Sequence, residues 1–263
     1  MNTAAGGHMN TAAGGHMNTA AGGHMNTAAV LNAERIKLSS LRSSLWSVIA
    51  VAVLSIGLAA LQASTAYGPG PLEGEKAAMG VAVFGIPVLM ILSALSVTNE
   101  YRSGMIRTTF MAVPDRSLVL AAKAVVAAVF SGAYAAVMVM AAIVVAQSDP
   151  RNWRLVGAIA LYAMLAAVLA VGVGALIRAS AGAVALLLLW PLVVEPLLGN
   201  MPNIGPDIGP YLPFGNAFRF TGVQWLYPEY AMPWGELGSI VYFAAVSAVV
   251  FVAALVTVNR RDA

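Results

Sequence analysis

Ionisable side chains are scarce in this chain, and those that interrupt apolar surroundings are the ones able to do chemistry. Glu195 follows Trp190 and Pro191 within an apolar run and precedes Pro196. A carboxylate so placed suits a proton carrier or a contact for polar cargo, because an acid among apolar residues is costly unless it has a use. A structural role is the plainer account, in which Glu195 caps a helix broken by the prolines or pairs with a following cation such as Arg219. The densest charged stretch is Asn99-Glu100-Tyr101-Arg102-Ser103-Gly104-Met105-Ile106-Arg107, leading to Val113-Pro114-Asp115-Arg116. Its charges either hold the chain's orientation in a bilayer or engage a protein partner. A third group, Glu34, Lys37 and Arg42, precedes the first long apolar run. His8, His16 and His24 each end a copy of MNTAAGGH. Imidazoles on a flexible chain can share a cation, but nothing in the repeat fixes them, and no metal site is expected. Cysteine is absent, which excludes disulfides, thiolate ligands and cysteine nucleophiles. Paired carboxylates or a histidine near the apolar runs are also missing, so no catalytic residue is expected.

The elements that must position these residues are membrane spans. Of 263 residues, 60% are apolar and 10% charged, against about 45–50% and about 25% in soluble domains. Mean hydropathy is +0.81. A bilayer core of about 30 Å needs about 20 apolar residues of helix, and six stretches qualify: 45–65, 79–98, 124–147, 155–177, 180–199 and 237–258. Barrel strands would alternate in polarity over about ten residues; these runs are continuously apolar. The expectation is an all-α membrane protein with six transmembrane helices. With both termini cytoplasmic, ten of the fourteen lysines and arginines fall inside, against four of the eleven acids, as the positive-inside rule requires. The expected location is the plasma (inner) membrane. A net charge of +3 gives no reason to expect a nucleic-acid partner. The longest segment between spans, 200–236, is too short for a catalytic domain. No Walker A sequence occurs, so no cofactor is expected to bind directly.

Residues 1–28 read as a disordered octapeptide-repeat leader, without the apolar core of a signal peptide, and 29–263 as the membrane domain. From Val30 to Trp46 an amphipathic helix is expected, with Val30, Leu31, Leu38, Leu41 and Leu45 on one face and Arg35, Lys37 and Arg42 on its flanks. Such a helix lies in the headgroup layer. Glu34 falls near the centre of its apolar face, bonded through water toward Lys37 or docked on a partner. A short helix is allowed over 105–112, ended by Pro114. Pro191 and Pro196 are expected to break the fifth span. Gly172, Gly174 and Gly182 permit close helix approach.

Ala-Glu-Arg-Ile-Lys-Leu at 33–38, with Ser-Leu-Arg-Ser-Ser at 40–44, resembles the opening of type 2 ABC transporter permeases of high-GC bacteria. Glu-Tyr-Arg-Ser-Gly-Met-Ile-Arg-Thr-Thr at 100–109, then Pro-Asp-Arg and Ala-Ala-Lys, resembles that family's first intracellular loop. Many relatives carry Thr where this chain has Met105. The likeness covers about residues 29–260, and the octapeptide repeat has no counterpart in it. It implies a permease subunit of an ATP-driven exporter of drugs, peptides or lipids, paired with a second permease copy or a homologous permease. A cytosolic ABC ATPase dimer would carry ATP and magnesium. Glu34, Lys37 and Arg42 would then belong to a connecting helix. Glu100, Arg102, Gly104, Arg107, Asp115 and Arg116 would couple to the ATPase, while Glu195 and Arg219 would line the substrate pathway or outer gate. The stretch 200–236 would form short re-entrant helices; its aromatics also suit an interfacial belt. The alternatives are a gradient-driven transporter using Glu195, or a non-transporting scaffold or immunity-type protein.

Overall fold

A computed structural model describes residues 27–40, 42–65, 71–149, 151–223, 227–228 and 230–260, and within these the side chains of all but 38–40 and 42–44. The leader over residues 1–26 and the side chain of Arg42 lie outside that set. Every regular element among the described residues is helical. Helix α1 covers Thr27–Ser40, so the last two residues of the expected disordered leader are helical, and α2 covers Arg42–Thr65. The second span begins with α3 (Gly74–Ala77), passes a π turn at Val81–Gly85 and ends in α4 (Ile86–Ser103). The short helix α5 is Met105–Ala112, and α6 (Arg116–Val145) and α7 (Trp153–Ile177) follow. The fifth span is α8 (Ser180–Leu189), a π turn at Trp190–Val194 and α9 (Glu195–Gly199). Between it and the last span lie α10 (Gly205–Ile208), a 3-10 turn at Gly209–Tyr211 and α11 (Pro213–Thr221); α12 is Glu236–Arg260. Among the described residues six helical segments are long and apolar enough to cross a membrane, and each overlaps one of the six expected stretches, the second and third being longer than expected.

Local chemistry accounts for the boundaries. Gly104 takes the left-handed conformation (φ 72°) that ends α4 and starts α5, a geometry that costs other residues strain. Val113 is extended (φ −130°) before Pro114, as steric exclusion by the proline ring demands. Asp115 then caps α6, its carboxylate accepting from Leu118 N at 3.0 Å. The fifth span differs from expectation. It keeps winding through both prolines, because the widened π turn leaves room for the ring of Pro191 and for carbonyls that have lost an N–H partner.

Helix α7 is the hub, packed against α4, α6 and α12. At its middle Tyr162 is fully buried and meets Phe214, Phe218 and Phe243 with ring centroids 5.5–6.5 Å apart. Pairs of this kind contribute about 0.5–1.5 kcal/mol each beyond area burial. A second apolar cluster toward the α5 end joins Val97, Leu120, Val171 and Ala254. Gly174 lets α4 approach α7: a Cβ there would lie 2.9 Å from Ala94 O.

Candidate functional site

Where α1 crosses the spans, four charged side chains meet, three of them buried and Lys37 partly exposed. Lys123, on α6, donates to Glu34 Oε2 at 2.6 Å and to Glu100 Oε1 at 2.7 Å. Lys37 reaches the same two acids, Glu34 Oε1 at 2.9 Å and Glu100 Oε1 at 3.0 Å. The Lys123 side chain is 2% exposed and those of Glu34 and Glu100 are each 7% exposed. Two cations between two carboxylates leave the cluster neutral, and this makes burial tolerable. Burial acts to lower the Lys37 pKa, but its bonds to Glu34 and then Glu100 outweigh that and leave it raised above 10.5. Glu100 Oε2 is buried with no hydrogen-bond partner among the described residues. A cavity of about 400 Å³ lies alongside, lined in part by Ser96, Asn99, Arg102 and Lys123.

This geometry revises two expectations. The buried side of α1 carries Val30 and Glu34, so the acid at the centre of the apolar face is turned into the protein, where Lys123 neutralises it. Glu100, grouped with the surface of the 100–116 loop, points inward because its partners are on α1 and α6. Lys123 enters the sequence reading as an inner cation and as the end of the Ala-Ala-Lys segment, without a site role. The signal that could have singled it out is a lysine within an alanine-rich run entering a span.

The rest of the loop is presented outward. Arg102, Gly104, Arg107 and Asp115 are exposed, while Ile106 is buried beneath α5. Met105 is 51% and Met111 74% exposed. The base of this knob is tied to most of the bundle. The Arg116 guanidinium lies 5.2 Å over the Phe110 ring and donates to Val258 O at 3.2 Å. Asn259 donates to Ser117 Oγ at 2.8 Å, and Ser180 to Thr98 Oγ1 at 3.0 Å. Arg178 stacks 4.8 Å over Tyr101. Loop, second, third, fifth and last spans are thereby joined at one end.

At the opposite end Glu195 is fully buried and surrounded by donors. The Trp190 indole N–H reaches Oε1 at 2.8 Å, and the backbone N–H groups of Phe214 and Gly215 reach Oε2 at 2.9 and 3.1 Å. Those two amides open α11, so the carboxylate caps that helix rather than its own, at the end where the dipole favours negative charge. The Tyr227 hydroxyl lies 3.4 Å from Oε2 and 3.1 Å from Pro191 O. Burial first, then the neighbouring carboxylate, pushes that phenol well above the usual tyrosine range. Arg219 makes no ion pair with Glu195 among the described residues. It lines a separate cavity of about 480 Å³ with Tyr227, Tyr230 and Glu236. The sequence could not reveal these donors, because two of them are main-chain groups. No protein-family model matches the chain, and no curated protein matches it.

Proposed function

We propose that the chain is the membrane-spanning permease subunit of an ATP-driven exporter, moving an amphipathic molecule out of the cytoplasm, with both termini and α5 on the cytoplasmic face. The observation that carries this reading is the α5 knob, exposed through Met105, Arg107 and Met111 and anchored below to spans at its own end of the bundle. Adaptable thioethers beside a cation suit a cleft on another protein. A helix so anchored would pass a push from that protein to the spans. The charge cluster supports the same reading: it fastens α1, as an interfacial connecting helix, to the second and third spans. ATP and magnesium belong to a cytosolic ATPase dimer, and the chain pairs with a second permease. The likeness of residues 33–44 and 100–109 to type 2 ABC permeases points the same way.

The test is affinity purification from native membranes in mild detergent, with co-purifying proteins identified. A near-stoichiometric subunit carrying a Walker A sequence, lost in Arg107→Glu and Met111→Asp, is the expected result. A preparation without any ATPase, after crosslinking before extraction, would sink the proposal and favour the scaffold reading.

A further inference from the structure

A groove of about 870 Å³ runs between α6 on one side and α1 and α2 on the other. Its α6 wall is Val125, Val129, Ala133 and Val137, spaced by four and so forming one ridge of the helix. Val125, Val129 and Val137 are 50–58% exposed. The rings of Phe130 and Tyr134 stack nearly parallel behind this ridge, with centroids 6.0 Å apart. The Tyr134 hydroxyl donates to Val48 O at 2.6 Å, so its polar atom is already satisfied. At about 1.5 Å per residue the ridge is about 18 Å long, close to the ~15 Å depth of one leaflet. Polarity is confined to the α1 end, where Asn32 and Arg35 are exposed. Glu34, the acid next to Arg35, is committed to Lys37 and Lys123 and does not neutralise it.

We propose that this groove holds one acyl chain of a phospholipid from the leaflet on the α1 side, with its phosphate on Arg35 and Asn32. A guanidinium matches phosphate oxygens in both charge and geometry. The groove below it ends at Val137, about a leaflet's depth from Arg35, although exposed apolar residues of α6 continue to Val144 and Val145. A phospholipid supplies both the anion for Arg35 and the chain for the groove, whereas an apolar spanning helix of a second copy would supply only the latter. The inference does not depend on what the protein transports.

The test uses the full chain reconstituted in nanodiscs of phosphatidylcholine and phosphatidylglycerol, then released in the mass spectrometer so that retained lipids are counted. Wild type is expected to keep one phospholipid. Arg35→Glu should lower the retained fraction at least about fivefold, the loss of roughly one favourable charge at an anionic surface. Val129→Trp should fill the groove and remove the lipid. Ala133→Leu repeats that block with a smaller side chain should the tryptophan disturb folding. Unfolding midpoints are expected to stay at the wild-type value, since these side chains are exposed. Equal retention in all variants would overturn the proposal. So would a lipid-free dimer that dissociates on Val129→Trp, which would assign the groove to a second copy.

Discussion

Removing Lys123 leaves Glu34 and Glu100 sharing only Lys37, whose side chain is 39% exposed. Lys123→Met is expected to cost about 3 kcal/mol, the usual penalty for stranding one side of a buried ion pair. Adding Glu34→Gln should restore part of it. Thermal unfolding of the single and double variants in detergent reads the difference, and strict additivity would mean the pair is not coupled. Lys37 gives the cluster a pH dependence of known sign. Its pKa is raised in the folded protein, so its contribution is complete below the ordinary lysine value of 10.5 and is lost as pH climbs through the higher folded value. The unfolding midpoint of wild type should therefore fall between pH 10 and 12 more steeply than that of Lys37→Met. Of this cluster only the closeness of Glu34 and Lys37, three positions apart on one helix, was legible. Glu34 stood out as an acid on an apolar face, but its partner Lys123 lies 89 positions away, and sequence spacing carries no information about that meeting.

At the scale of elements, short-range chemistry was the legible part. The helix allowed over 105–112 forms over those residues, since a left-handed glycine and a pre-proline residue fix both ends locally. The fifth span was read less well. Prolines imply lost hydrogen bonds, but whether a helix breaks or widens depends on what packs around it. Glu195 joins this span to α11, so Glu195→Ala is expected to leave two buried amides without an acceptor, at about 1–3 kcal/mol each, and to free the partly exposed Trp190 indole at a smaller cost. Glu195→Gln keeps a carbonyl and should lose less. Hydrogen exchange over 205–223 should rise far more in the alanine variant; equal protection would mean that α11 holds its place without the cap. Along α7, Gly174→Ala pushes a methyl against the α4 backbone and should destabilise by about 1–3 kcal/mol. Gly157→Ala meets nothing within 4 Å and should stabilise by about 0.5–1 kcal/mol through helix propensity. The contrast between the two unfolding midpoints separates close packing from propensity.

For the whole molecule, although the second and third helices run beyond their expected limits, the number and approximate position of the spans were visible because bilayer thickness is written into run length. Their arrangement was not, since lipid-facing and protein-facing residues are equally apolar. The second and fourth spans turn out to be mostly buried, the first, fifth and sixth mostly uncovered. Met111→Asp changes a side chain that is 74% exposed and should leave unfolding of the isolated chain unchanged. Loss of ATPase co-purification in that variant would then reflect docking rather than folding. The central place of α7 also sets a timetable for synthesis. Its Tyr162 is enclosed by Phe243 of α12, which is made about 80 residues later. At translation speeds of about 5–20 residues/s, the nascent fourth span spends roughly 4–16 s in the bilayer before that ring arrives. During those seconds lipid or an insertion chaperone must cover a surface that the finished protein hides.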